Sequence, residues 1–418
     1  MSVRRFAPLF AVSLFALFTT CNDAPVAPDG LSPSFAAKCG TPPCGKGPGG
    51  GDGTIKVIDL NPAGWSFSLP RSINRRGQVA GWGGTNFNHA FFWDGKQSQD
   101  IGTLGGGTSA MAFILDNYLN DFGMVVGQST TADGPLGERL HAFAWTKRQG
   151  MQDLGTLGGR RSFAYAVNKT GQVVGEAETA RCSSVVVVDC TPVGAFHAFL
   201  WEDGVMQDLH TLGDEWSEAR VVNDQGQVSG IYILAGVRLA FLWEDGVMQD
   251  LGTIGGEVYE VVAINAEGDV TGTAKTGSGD SHAFLASDGV MEDLGTLGGN
   301  RSEAWDLNNY GVVVGESENA GGLTHAFLWQ DGAIRDLGTL GGDFSRAKGV
   351  NDRGEVVGLS TTESGDVHAF IWSDGIMRDL GTLGGNWSMA LAINEKGQVA
   401  GEAKVASGAV HGALWETR

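Results

Sequence analysis

Three sets of side chains in this 418-residue sequence have the types and spacing to do chemistry. The first is histidine. Seven of the eight stand at one register of a recurring His-Ala-Phe-Leu-Trp segment or its variants, at His89, His141, His197, His282, His325, His368 and His411. Many imidazoles suggest a metal array, but one His per repeat on equivalent strands describes a wide ring that cannot converge on a single ion. Each is therefore expected to bond a neighbouring turn or carboxylate, and neither a metal nor a cofactor is expected. A network of His, the Asp of Asp-Leu-Gly and the Ser after Gly-Thr-Leu-Gly-Gly would be structural, because it recurs in nearly every copy.

The second set is acidic. Glu218, Glu260 and Glu303 stand at equivalent places in three consecutive copies, each five residues before a recurring Asn. Paired carboxylates about 5–9.5 Å apart can cleave glycosides by acid–base chemistry. Solvated charges in an acidic chain are the plainer reading, and no nucleophile elbow, P-loop, zinc motif or calcium loop accompanies them. The third set differs from copy to copy. Trp65, Arg161, Trp216, Arg301, Phe344 and Trp387 follow the Gly-Thr-Leu-Gly-Gly connection, and Trp305 stands three residues before its Asn. Exposed around a channel mouth, aromatic and Arg side chains suit a glycan, a peptide or a flat protein surface. Packing of the aromatics against a neighbouring turn is the alternative.

What must position these groups is a repeat. Asn-x-x-Gly followed by a short apolar run begins at Asn74, Asn120, Asn168, Asn223, Asn265, Asn308, Asn351 and Asn394, at spacings of 46, 48, 55, 42, 43, 43 and 43 residues. Each copy holds four short strand candidates, a to d, separated by turn residues. Asn-x-x-Gly suits a hairpin with a bulge between a and b, and Asp-Gly a primed turn between c and d. No segment beyond the N-terminus has a sustained helical period with caps. Four antiparallel strands every ~40–45 residues is the signature of a β-propeller blade.

Eight a–b–c triplets are followed by only seven d strands, and the segment from Ile55 to Leu60 precedes the first triplet. The expectation is an all-β propeller of eight four-stranded blades closed by the N-terminal strand, which would remove exposed edges. Seven blades with one unit outside the ring is the main alternative, and an open solenoid a further one. Repeat length varies mainly between strands b and c, where the gap from the strand-b Gly to the His register runs 8, 14, 22, 9, 10, 10, 10 and 10 residues. Strand alternation puts these loops and the Gly-Thr-Leu-Gly-Gly connections on one rim, and insertion-bearing faces are where repeat proteins usually bind.

The combination of His-Ala-Phe-Leu-Trp, Asp-Leu-Gly-Thr-Leu-Gly-Gly and Ile-Asn-x-x-Gly-x-Val-Val-Gly over residues 55 to 415 resembles the HAF family of extracellular repeat proteins. The resemblance implies an exported repeat protein and carries no activity with it.

Composition agrees with that address. Arg4 and Arg5 precede an apolar run from Phe6 to Phe18, too short to span a bilayer and placed like a secretory signal. Cys21 follows directly, as in a lipoprotein signal, although Thr20 stands where such signals usually carry Ala, Ser or Gly. Cys39 with Cys44 and Cys182 with Cys190 form two local pairs, expected as disulfides in an oxidising compartment; neither has Cys-x-x-Cys spacing or a nearby His cluster for a metal. The expected organisation is a signal peptide over 1–20, a Pro- and Gly-rich tether over 21–53 and the repeats over 54–418. With 28 Lys and Arg against 48 Asp and Glu, the formal charge is −20, which disfavours nucleic acid and anionic membrane surfaces. The expected function is a monomeric, exported, lipid-anchored surface module that binds or scaffolds a glycan, peptide or protein, touching a membrane only through its anchor. The alternative is a carbohydrate-active hydrolase or lyase using Glu218, Glu260 and Glu303.

Overall fold

The computed structural model describes residues 55–86, 88–111, 118–132, 139–179, 195–210, 212 and 216–417. The signal and tether segments, Cys21, and the pairs Cys39/Cys44 and Cys182/Cys190 lie outside the described residues. Every regular element among the described residues is a β-strand.

The strands assemble as successive four-stranded antiparallel sheets. In the Asn308 unit, Gly298–Leu307 (strand a), Val313–Asn319 (b), Thr324–Gln330 (c) and Ala333–Asp336 (d) pair in that order. Six sheets follow this plan, and two further units are joined by one parallel pair, Val367 with Trp387. The last unit, Gly384–Ile393, Gln398–Val405 and Val410–Glu416, takes its fourth strand from Lys56–Asp59. Val57 lies opposite Trp415 and Ile58 opposite Leu414. The two ends of the repeat region therefore share a sheet, as the strand count anticipates.

Local chemistry accounts for the turns and the kink in strand a. Asp331 and Gly332 both take positive φ, 50° and 79°, the combination that a two-residue primed turn requires. Strand a carries a bulge between Ala304 and Asp306, and it brings the Glu303 carbonyl against Gly315 of strand b. A Cβ at Gly315 would collide with that carbonyl, so the Gly that ends each Val-Val-Gly run permits the bulge. The Phe of the His-Ala-Phe register fills the sheet-to-sheet core: Phe91, Phe143, Phe199, Phe241, Phe284, Phe327 and Phe370 are fully buried. The Trp four residues after the His register is buried with it in seven units, Trp93, Trp145, Trp201, Trp243, Trp329, Trp372 and Trp415.

Two sets of hydrogen bonds, seven in each, tie successive sheets together; the Leu239 unit lacks the Ser bond, and Asn265 turns its Nδ2 to Asp269. The outer set runs from the amide after the His register to a strand-a Ser of the following unit. Ala90, Ala142, Ala198, Ala283, Ala326, Ala369 and Gly412 donate to Ser109, Ser162, Ser217, Ser302, Ser345, Ser388 and Ser68 at 2.8–3.0 Å. The inner set belongs to the recurring Asn. Asn308 Oδ1 accepts the Tyr310 and Val312 amides and so closes its own turn, while its Nδ2 donates to the Asn351 carbonyl of the next unit at 3.0 Å. The same link runs from Asn74 to Asn120, Asn120 to Asn168, Asn168 to Asn223, Asn223 to Asn265, and Asn351 to Asn394, at 2.9–3.2 Å. Asn394 then donates to the carbonyl of Asn74, 320 residues away, at 2.9 Å.

Asn394→Asp keeps the turn acceptor and replaces this last donor by a carboxylate facing the Asn74 carbonyl, which then keeps only the Gly77 amide. The expected loss is about 1–3 kcal/mol of unfolding free energy in urea titration. An unchanged midpoint would show that the link contributes nothing.

Candidate functional site

Strand a runs from the Gly-Thr-Leu-Gly-Gly connection to its Asn, and the two ends differ in kind. At the Asn end, a cavity of about 400 Å³ is lined by Ile73, Leu119, Val167, Val222, Ile264 and Ile393, each immediately before an Asn. The polar groups around it are already used. Besides the Asn links, Asp121, Asp224, Asn309, Asp352 and Glu395 accept the amides of Arg75, Lys169, Ala266, Asn309 and Asp352 in the preceding units. This end is a fastening.

The opposite end carries the variable residues. Leu157, Leu297, Leu340 and Leu383 of the connections form single bridges to Thr179, Asn319, Thr362 and Val405 at the ends of strands b. Connections and b–c loops therefore share a rim, as strand alternation requires. Inward from it, alternate strand-a side chains of neighbouring units meet in two clusters.

One cluster centres on Arg220. Its Nε donates to Glu218 Oε1 at 2.7 Å, and its Nη1 lies 3.5 Å from Glu260 Oε1 in the next unit. Its guanidinium lies 6.0 Å from the centre of the Tyr165 ring, and the Tyr165 hydroxyl donates to Glu176 Oε1 at 2.8 Å. Burial, reinforced by the charge of Glu218, pushes the Glu176 carboxyl up to about 7 and the Tyr165 hydroxyl well above its ordinary value. Burial also raises Glu260. At the rim, Arg238 stacks over Trp216, and Arg161 pairs with Glu178 while lying over Phe196.

The other cluster centres on Arg346, which grips Glu316 of the preceding unit with two bonds of 2.6 and 2.9 Å. The same guanidinium lies over Trp305 at 5.6 Å and Phe344 at 5.7 Å, and Lys348 covers Trp305 as well. Glu303 and Glu316 are cross-strand partners. Burial alone would lift Glu303, but its bond from Arg301 holds it below the usual carboxylate value, whereas burial lifts Glu316 in spite of Arg346. A third ion pair stands where the last unit meets the first: Arg71 Nη1 donates to Glu402 Oε1 at 2.8 Å, with each side chain only 9% exposed.

The structure thus divides the anticipated residues. Trp216, Glu218 and Glu260 belong to one cluster, with Arg161 at its rim, and Arg301, Glu303, Trp305 and Phe344 belong to the other. Trp65 stands edge-on to Phe91 of its own sheet, and Trp387 pairs through its backbone with Val367. Those two stand outside both clusters. The histidines take the structural role expected of them: each Nδ1 meets the Asp of the same sheet at 2.7–2.8 Å, including His411 with Asp59 of the exchanged strand. In the unit with Leu239 in place of His, the hydroxyl of Tyr232, opposite Leu239, bonds Asp250. The expected His–Ser–Asp network is corrected in one respect. The Ser bonds backbone groups and not the repeat His, because its hydroxyl is drawn to the Gly carbonyl after the Asp, as Ser302 is to Gly295 at 2.6 Å.

Sequence reasoning missed four things. The Asn link was readable from the exclusive use of Asn at eight turns where Asp would serve equally as acceptor. Glu176, Glu316 and Glu402 were marked by a carboxylate just after the strand-b Gly in only three copies. His210 interrupts Asp-Leu-Gly; it accepts or donates at Ser217 Oγ (2.8 Å) and stacks on His197 with ring centres 4.2 Å apart. Tyr232 carried no signal beyond its own register.

No protein-family model matches the chain, and no curated protein matches it. Among solved structures it is similar to Pyrococcus horikoshii acylaminoacyl peptidase, at 13% identity over 81% of this chain and 58% of that one, TM-score 0.44. It is similar to the β-propeller domain of the Trilobed protease from Pyrococcus furiosus, at 12% identity over 76% and 99%, TM-score 0.45. A puromycin-hydrolyzing peptidase of Mycobacterium tuberculosis aligns at 12% identity over 77% and 54%, TM-score 0.48. The chain spans little more than half the length of the two peptidases.

Two outcomes follow from the buried charges. Arg71→Met leaves Glu402 buried without its cation and is expected to cost about 3–5 kcal/mol in denaturant titration, much of it recovered in Arg71→Met/Glu402→Met. Glu176 keeps its proton in the fold to about pH 7 but loses it near 4.5 when unfolded, so its contribution is complete below 4.5 and fades as pH rises to 7. Glu176→Gln is expected to remove that decline, worth at most about 3 kcal/mol, from stability measured between pH 4.5 and 8.

Proposed function

We propose that the eight four-stranded units are the blades of one closed propeller, exported, anchored by a lipid on Cys21, and serving as a surface module that binds or scaffolds a glycan, peptide or protein. The pairing of Lys56–Asp59 with Val410–Glu416 and the bond from Asn394 to Asn74 support closure. The likeness of the repeats to the HAF family and the N-terminal signal support export. The net charge of −20 supports a partner other than nucleic acid.

One observation carries the binding reading. Along strand a, the residues at the Asn end are alike in every unit, whereas those towards the opposite rim diverge into Arg, Glu, Trp, Tyr and Phe. Fastening explains uniformity. It gives no reason for aromatic and guanidinium groups to gather on one arc of the other rim, where recognition does. A second reading, carbohydrate cleavage, draws on Glu303 and Glu316, facing carboxyls whose proton affinities are driven apart.

On an array of glycans, peptides and proteins, Trp216→Ala with Phe344→Ala is expected to reduce retention about tenfold or more, while Phe122→Ser at the Asn end leaves it unchanged. Equal retention by all three proteins would refute the site. Product release that disappears in Glu218→Gln/Glu260→Gln/Glu303→Gln would establish the enzyme instead. Radiolabelled palmitate should enter the parent protein and not Cys21→Ser; an unlabelled parent would end the anchoring proposal.

A further inference from the structure

The junctions between units do not all carry the same contacts. Three kinds recur: the Asn link, the Ser bond, and a strand-c Trp packed back onto the unit before it. Trp329 shares an apolar cluster with Ala283 and Leu285 of the preceding unit, and Trp372 with Ala326 and Leu337. Where the two chain ends meet, all three are present through Asn394, Gly412 and Trp93, and Arg71 with Glu402 adds a fourth tie.

The junction between the Asn223 and Asn265 units departs from this plan twice. Val258 lies opposite Ala274 at the register where Ser302 lies opposite Ser317, so Ala240 of the preceding unit has no hydroxyl to donate to. Ala286 stands where the other seven units have Trp, the side chain with the largest contact area. Small and branched residues, among them Ile231, Ala240, Val258 and Ala286, fill the space between the two sheets. What remains is on the strand-a side. Asn223 Nδ2 donates to the Asn265 carbonyl at 2.9 Å, and Arg220 meets Glu260 at 3.5 Å. The next junction departs in the opposite sense: Asn265 Nδ2 turns to Asp269 at 2.8 Å, while Ala283 still donates to Ser302 at 3.0 Å and Trp329 is in place.

Two sheets tied along one side only can rotate about that side. The free energy of a local opening is set by the contacts it breaks, and this one breaks no strand pairing and no Asn link.

We propose that the junction between the Asn223 and Asn265 units is a hinge. Strands c and d of one sheet splay away from the next sheet about the Asn223–Asn265 bond, while the junction where the chain ends meet stays shut. The hinge does not depend on whether the rim binds a ligand.

Native-state thiol labelling of the full chain, with each label located by mass spectrometry, tests it. Ala274 and Ala403 are both fully buried, each opposite its repeat His, and Ser317 and Ser360 hold the same register in other units, so a Cys fits there. Ala274→Cys reports on the hinge, and Ala403→Cys on a junction that keeps both the Ser388 bond and Trp415. Ala240→Cys and Ala326→Cys form a second pair on strand c, equally buried. In each pair the first is expected to be labelled about tenfold faster or more. Its rate should rise with urea far less steeply than global unfolding does, because splaying exposes little surface. In the unaltered protein the side-chain amide protons of Asn223 should exchange as slowly as those of Asn351. Equal labelling within both pairs, or a urea slope equal to that of global unfolding, would overturn the proposal. Fast exchange at Asn223 would overturn it too, since the bond serving as axis would then break.

Discussion

Seven of the eight recurring Asn residues hold their unit to the next by a side-chain amide. The Asn that starts the first hairpin spends its oxygen on its own turn and its nitrogen on the carbonyl of the following Asn. A carboxylate could do the first job and not the second. Sheets that pack through apolar faces are thereby pinned at the Asn end of strand a. In seven units a Ser bond further out adds another pin. Strand a is thus aimed, and its inner side chains meet those of neighbouring units at hydrogen-bonding distances.

That constraint explains why the two ends of the strands are so different. Near the Asn, side-chain and backbone amides are bonded from unit to unit, and the residue before the Asn is always Ile, Leu or Val. Three to seven residues upstream the strand-a side chains differ from unit to unit. The charges there pair across the junctions: Arg220 with Glu260, Arg346 with Glu316, Arg71 with Glu402. These pairs tie sheets together as well as dressing the rim, so recognition and cohesion draw on the same residues.

Much of the fold was legible in the amino-acid order. The Asp-Gly and Asn-x-x-Gly turns, the four strands per unit and the missing fourth strand at the C-terminal end all rest on local chemistry that a single copy displays. The His–Asp pairing was legible in partner as well as role, the Asp of Asp-Leu-Gly standing eleven or twelve residues on, whereas the Ser of that network turned out to bond backbone groups because strand a places its hydroxyl on the Gly carbonyl. The site was legible in part. Position-by-position divergence pointed to Trp216, Phe344 and the three Glu residues. It did not show that Trp65 and Trp387 stand outside the two clusters, since edge-on contact with Phe91 and a backbone pair with Val367 depend on how neighbouring strands lie. Glu176 and Glu316 stand on strand b, outside the strand-a register where the copies diverge, yet the residue after the strand-b Gly lies beside strand a and meets the ions there.

The bond from Asn394 to Asn74 is chemically the same as those from Asn74 to Asn120 and from Asn351 to Asn394. The break in the covalent chain between the last and first copies is therefore bridged by the same amide that bridges copies joined by peptide bonds. A gene reopened at another Asp-Gly turn, with the old ends joined by a short linker, would encode the same set of contacts.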